Sequence, residues 1–188
     1  MKLTIACVNH SNYQGRGAEY VARMQSMVAH HMSQPYDFAV LLDEGPYGGW
    51  WSKIELFRPG RFTGRVIYLD LDSVVVGPLD KLAAQPGIID LHDWGWLTHT
   101  LCSSVMVWDV DEHREIFDDF EAPVTSEFRG DQDWITYLGG WDILPAPLCR
   151  SYRYHCVNGP PEGCVHVSMH GQPKPHEITD GWVPQAWR

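Results

Sequence analysis

Residues 66–76 read VIYLDLDSVVV, an apolar run that carries two carboxylates, Asp70 and Asp72, near its middle. Side chains two apart in an extended chain point to the same side, so both carboxylates can reach one point in space at the end of a strand. Like charges do not persist together in an apolar setting unless something positive lies between them. Two hard oxygen ligands aimed at one spot suit Mg²⁺ or Mn²⁺, ions that keep coordination positions open for a substrate phosphate. An aspartate pair that merely caps a turn has the same spacing, so the motif alone leaves both readings open.

The surrounding elements say where that point lies. LTIACV at 3–8 is a short apolar run that enters the polar stretch NHSNYQGRG, a strand leading into a loop. Tyr20, Val21, Met24, Met27 and Val28 then recur at helical spacing and predict a helix packed on a sheet. DFAVLLD at 37–43 reads as a second buried strand. GPYGG breaks the chain, WWSKIELF at 50–57 reads as a short helix ending before Pro59, and RVIYLDLD at 65–72 is the next strand. Strands at 88–91, 104–110 and 164–169 and helices at 111–120 and 131–138 continue the pattern, and the Pro- and Trp-rich tail 171–188 reads as irregular chain laid over the surface. This alternation predicts an α/β fold in a single domain spanning 1–188, with a mainly parallel sheet and helices on both faces. Open sheets of this kind bind ligands at the C-terminal ends of their strands, where Asp70 and Asp72 stand.

Composition narrows the chemistry. The 188 residues carry 24 acidic against 14 basic side chains, a formal net charge of −10, which argues against a nucleic-acid surface. A phosphorylated ligand would have to be held by local positive charge or a metal ion. No apolar run reaches the length of a membrane span, and MKLTIACVNH lacks the apolar stretch and cleavage site of a signal peptide, so a cytoplasmic protein is expected. Five cysteines without CxxC spacing suit reduced thiols. Of the nine tryptophans, Trp50, Trp94, Trp96, Trp141 and Trp182 lie beside Gly, and flat rings so placed either line carbohydrate and nucleotide surfaces or fill the core.

Taken together and in order, YLDLDSVVVGPL, CSSVMVWD, RGDQDWITYL and HGQPKP resemble the family 8 glycosyltransferases, the group that includes glycogenin. The resemblance extends over residues 3–176 in the order of elements and implies a GT-A-type, Rossmann-like fold with a DxD motif. It implies that Asp70 and Asp72 hold Mn²⁺, with Mg²⁺ as the alternative, together with the diphosphate of a nucleotide-sugar. The family's third ligand is a histidine shortly before a G-x-x-K-P segment, matched here by Gly171 to Pro175. The usual spacing falls on Ser168, which leaves His170 as the expected ligand and His166 as the alternative.

The same resemblance assigns further roles. Lys174 would stabilise charge growing on the departing diphosphate, and Lys53, which stands where the family has a basic residue upstream of the DxD strand, would reach the same phosphates. Asp131 would hold sugar hydroxyls, and the Gln132 amide would lie near the anomeric carbon, in a transfer that retains configuration. Cys102 departs from the family's asparagine, leaving Ser103 and Ser104 to replace an amide that holds the donor sugar. Val8 ends the first strand, and Tyr13 would stack on the base of a UDP-sugar. The expected activity is hexosyl transfer from UDP-glucose or UDP-galactose to an acceptor that the sequence does not name. Two rivals stay open: a haloacid-dehalogenase-type phosphatase, whose fold also uses a strand ending in DxD, and a nucleotide- or sugar-binding protein without catalysis. Cys149, Cys156, Cys164 and His166 lack the paired spacing of a zinc knuckle.

Overall fold

The computed structural model describes residues 1–43, 45, 48–85, 89–92 (backbone only), 101–110, 112–145 and 147–188. β1 (Leu3–Val8) is buried along its whole length. It passes through a 3-10 segment, His10–Gly15, into α1 (Gly17–His31), whose buried residues Tyr20, Met24, Met27 and Val28 are those of the apolar stripe in the sequence. β2 (Asp37–Leu41) follows. WWSKIELF forms a 3-10 helix, Gly49–Phe57, ahead of β3 (Arg65–Leu69). The chain continues with β4 (Val74–Val75), α2 (Asp80–Ala83), β5 (Ile89–His92), β6 (Leu101–Asp109), α3 (Glu115–Asp118), α4 (Val124–Glu127) and α5 (Asp131–Leu138). It ends with β7 (Asp142–Ile143), β8 (Cys149–Ser151), a π-turn at Tyr152–Cys156, β9 (His166–Ser168), a 3-10 turn at Pro175–Glu177 and α6 (Val183–Ala186).

Six strands form the main sheet in the order β2-β1-β3-β6-β5-β7. The pairs β1–β2, β1–β3 and β5–β7 are parallel, while β6 runs antiparallel to both β3 and β5. The sheet is therefore mixed but parallel in the half that carries β1 and β3. Strand alternation divides the core into two layers. Ile5, Ile67, Leu69 and Leu71 pack under α1, whereas Ala6, Val66 and Tyr68 face Ile54, Leu56, Ile116 and Trp134 on the other side.

A second sheet of three short strands, β4-β9-β8, went unnoticed as a unit in the sequence because each strand is only two or three residues long. The helix expected at 111–120 shrinks to the single turn of α3, and the strand expected at 88–91 is β5; Ile88 and Asp111 lie outside the described residues, as do Trp94 and Trp96. The tail is not a surface covering. Val183 and Trp187 are buried beneath α1, and Trp182 Nε1 donates to the Cys156 carbonyl at 2.7 Å, since a small domain gains core most cheaply from its large aromatics.

The start of β3 is fixed by a close backbone approach. Gly64 has φ +81°, and a Cβ there would fall 2.2 Å from the Lys2 carbonyl oxygen, which accepts the Arg65 N–H at 2.8 Å. Gly60 shares the left-handed conformation at φ +77° but has open space around it. Gly64→Ala should lower unfolding free energy by about 1–3 kcal/mol, seen as a lower urea midpoint, and should cost clearly more than Gly60→Ala. Equal losses would refute the close-approach argument.

Candidate active site

The sheet reverses its winding between β1 and β3: the chain leaves β1 for β2 on one side and returns to β3 on the other. This is the switch point at which open α/β sheets form a crevice. A cleft of about 150 Å³ lies there, lined by Val8, His10 and Tyr13 after β1, by Trp50 and Lys53, and by Tyr68, Asp70, Leu71 and Asp72.

The strand expected to run to residue 72 ends at Leu69, and Asp70 and Asp72 stand in the turn that follows, closed by the Ser73 N–H on the Asp70 carbonyl at 2.9 Å; the fold brings a cation to each carboxylate by a separate route. Lys53 is carried on the 3-10 helix and is nearly buried, with Nζ 3.2 Å from Asp70 Oδ1 and 2.8 Å from Asp131 Oδ2. It also donates to Ser103 Oγ at 3.0 Å. Burial alone would push this ammonium toward its neutral form; Asp131 and then Asp70 more than reverse that, holding its pKa above the ordinary lysine value. Asp131 opens α5, where a negative charge suits the helix N-terminus, and accepts from Ser103 Oγ at 2.8 Å. β6 supplies this serine because it pairs with β3, and the Asp70 N–H donates to the Ser104 carbonyl at 2.8 Å.

Asp72 is served by the second sheet. Its neighbours Val74 and Val75 pair with Val167 and His166, so β9 delivers the following segment alongside the DxD turn. There Lys174 Nζ forms an ion pair with Asp72 Oδ2 and donates to the Met169 carbonyl at 3.4 Å. Two phenols complete the cluster. Tyr13 Oη donates to Asp72 Oδ2 and Tyr68 Oη to Asp70 Oδ1, each at 2.6 Å. Burial, then the adjacent aspartate, raises the pKa of both tyrosines far above the ordinary range, so both remain donors.

Most of the residues expected from the sequence thus meet in two clusters, Asp70 with Lys53, Asp131 and Ser103 and Asp72 with Lys174 and Tyr13, which adjoin where Asp70 and Asp72 line the cleft, with Val8 at its wall. Gln132 joins through its Oε1, which accepts the Ser103 N–H at 3.3 Å. Ser104 is buried, and its Oγ accepts from the Cys102 thiol at 3.3 Å. Tyr13 stands edge-on to Tyr20, 5.3 Å between ring centroids, with its hydroxyl engaged by Asp72.

His170 does not join the pair. β8 and β9 run parallel with Ser151 opposite Ser168, so the chain just past β9 meets the end of β8; there His170 Nε2 lies 2.6 Å from Ser151 Oγ. Among the described residues, no three His, Cys, Asp or Glu side chains converge as a metal cage. His166 is the imidazole that feels the charge of Asp70. It is fully buried, neither ring nitrogen has a hydrogen-bond partner among the described residues, and burial pushes its pKa down to about 4 despite the carboxylate.

In this arrangement the imidazole expected as third ligand is engaged by Ser151, and the carboxylates Asp70 and Asp72 are the oxygen donors that line the cleft. Three aspartates against two lysines leave this cluster one negative charge in excess, before any phosphate arrives. An oxygen-only set with surplus negative charge fits Mg²⁺ or Mn²⁺ shared with a substrate's phosphate oxygens. Tyr68 is the participant that the sequence reading passed over; its position two residues before Asp70 was the available signal.

No protein-family model and no curated protein sequence matches this chain. Solved structures do. A glycosyltransferase involved in glycosylating the major capsid of PBCV-1 superposes with a TM-score of 0.65 at 15% identity, covering 92% of this chain and 95% of its own. The galactosyltransferase LgtC, in complex with donor and acceptor sugar analogs, gives 0.66 at 16% identity over 93% and 89%. The glycosyltransferase GlyE of Streptococcus pneumoniae TIGR4 gives 0.71 at 12% identity, covering all of this chain but 59% of its own. The chain therefore has the GT-A-like α/β fold of these glycosyltransferases. Among the described residues, no helix is long and apolar enough to cross a membrane.

Two outcomes follow from the buried charges. Lys53→Met should destabilise the protein by roughly 3–5 kcal/mol in urea unfolding at neutral pH, and a loss below 1 kcal/mol would mean that the ion pairs are not buried in effect. For His166, the unfolded chain binds a proton below pH 6.5 while the folded chain resists down to about 4. Stability is then complete above pH 6.5 and falls as pH drops toward 4, by an amount on the order of 3 kcal/mol. His166→Leu should flatten that limb of the stability–pH curve; an unchanged limb would assign the acid loss to other groups.

Proposed function

We propose that this protein is a metal-dependent glycosyltransferase that moves a hexose from a UDP-sugar to an acceptor with retention of configuration. The observation that carries this reading is the pair of adjoining ion-pair clusters, Lys53 with Asp70 and Asp131 and Lys174 with Asp72, at the switch point of a fold shared with glycosyltransferases. Its chemistry suits a nucleotide diphosphate. The bound cation would supply Lewis-acid stabilisation of the diphosphate, held by Asp70 and Asp72.

The protein's own groups do the rest. Lys174 exchanges Asp72 for a phosphate oxygen and stabilises the charge that grows as the glycosidic bond breaks. Asp131, locked by Lys53 and Ser103, accepts hydrogen bonds from sugar hydroxyls. Gln132, positioned through the Ser103 N–H, directs its amide dipole toward the developing positive charge at the anomeric carbon. Tyr13 and Val8 border the side of the cleft assigned to the base. Lys53 is committed to two aspartates and serves to hold the site rather than to meet phosphate.

The test is thermal melting with UDP, UDP-glucose and UDP-galactose, each with and without Mn²⁺. A ligand at about a hundredfold excess over its Kd should raise the melting temperature of a chain this size by roughly 5–10 °C. The shift should need Mn²⁺ and vanish in Asp72→Asn. A shift independent of metal would overturn the assigned ligands. Absence of any shift, with hydrolysis of an aryl phosphate instead, would favour the phosphatase reading.

A further inference from the structure

The cleft has one wall that the proposed donor chemistry does not use. Trp50 lines it and is 54% exposed, although it is one of the chain's largest apolar side chains. Its neighbour Trp51 packs on Phe120 at 5.3 Å and belongs to a core layer, whereas Trp50 belongs to neither layer. The two adjacent rings have therefore divided their work, one into the core and one into the cleft.

The local backbone sets where the exposed ring stands. A 3-10 helix repeats every three residues, so Trp50 and Lys53 eclipse one another about 6 Å apart along the axis. The indole is thus one turn above the ammonium that holds Asp70 and Asp131. On its other side it lies against Gly130, where an added Cβ would sit 3.4 Å from Trp50 Nε1 and 3.5 Å from Cδ1. Gly130 directly precedes Asp131 and Gln132, so the ring stands beside the start of α5 while it lines the same cleft as Asp70 and Asp72.

An exposed flat apolar surface beside carboxylates suits a ligand with one face of C–H groups and an edge of hydroxyls, which describes a pyranose. We propose that Trp50 is the platform on which a pyranose ring of the acceptor stacks, its hydroxyl edge turned toward the carboxylates that line the cleft. This rests on the glycosyl-transfer reading for the word acceptor, because the inner end of the cleft is assigned to the donor and Trp50 stands at the solvent rim. The ring determines which molecule can approach the reacting centre.

Saturation-transfer NMR tests this with methyl β-D-glucopyranoside and methyl β-D-galactopyranoside as probes, in the presence of UDP and Mn²⁺. The wild-type protein should saturate most strongly the axial C–H protons of one ring face. The effect should fall at least fivefold in Trp50→Ala and persist in Trp50→Phe, which keeps a flat ring. Trp50→Leu, apolar but not flat, replaces the alanine variant if circular dichroism shows that variant unfolded, and should lose the signal likewise. Equal saturation in wild type and in Trp50→Ala, saturation without face preference, or none at all would overturn the platform. Melting with UDP and Mn²⁺ in the same wild-type samples separates the two claims. A nucleotide shift without ring-dependent saturation removes only the platform. Ring-dependent saturation without a nucleotide shift removes only the donor assignment and leaves a sugar-binding surface.

Discussion

Three carboxylates gathered at the end of a buried strand, with two lysines to balance them, form the constraint around which this protein is arranged. Asp70 and Asp72 share the turn after β3 and Asp131 opens α5, and the basic side chains nearest them in sequence pair with other carboxylates, Arg65 with Asp109 and Arg129 with Asp133. Each carboxylate must therefore be met by a group brought from a distance, or be left desolvated at a cost of several kcal/mol. Much of the architecture outside the main sheet follows from that need. The 3-10 helix is tight enough to seat Lys53 between β3 and α5, and its buried face, Ile54, Leu56 and Phe57, anchors it on the sheet.

The second sheet answers the same need for Asp72. β4 is two residues long and would contribute little as a strand by itself, yet it begins one residue after Ser73 and so pins the DxD turn to β9. β9 then passes the chain to Lys174, and the tail returns to bury Val183 and Trp187 under α1. That burial gives the tail a reason to stay, and a lysine on a segment so anchored keeps its place without a long helix or sheet to hold it. The charge pair at one end and the aromatic core at the other fix the same stretch of chain.

What could be read from the sequence was set by length and by alternation. α1 carries an apolar stripe from Tyr20 to Val28, β1 and β3 are short, mostly apolar runs, and α5 is bounded by Gly130 and Gly139; all of these were legible. The antiparallel sense of β6 was not, because a buried strand shows the same apolar run whichever way it points. Nor was the burial of the tail, where Pro and Gly mark turns while Trp182 and Trp187 give no period from which packing can be inferred. The second sheet fell below the length at which alternation carries a signal.

For the site, residue types were legible and pairings were not. Lysines, aspartates and serines stand in motifs that resemble those of a glycosyltransferase family, but Lys53 was expected on phosphate and stands instead between Asp70 and Asp131. That difference is one of burial, which depends on the 3-10 helix lying flat against the sheet and cannot be read from WWSKIELF. His170 was favoured for its place beside Gly171, yet the parallel pairing of β8 with β9 puts Ser151 next to it. His166 opens β9 itself and is buried, neutral because burial outweighs the charge of Asp70. An imidazole kept uncharged there adds no positive charge to a cluster already one short, so the remaining balance must come from whatever enters the cleft.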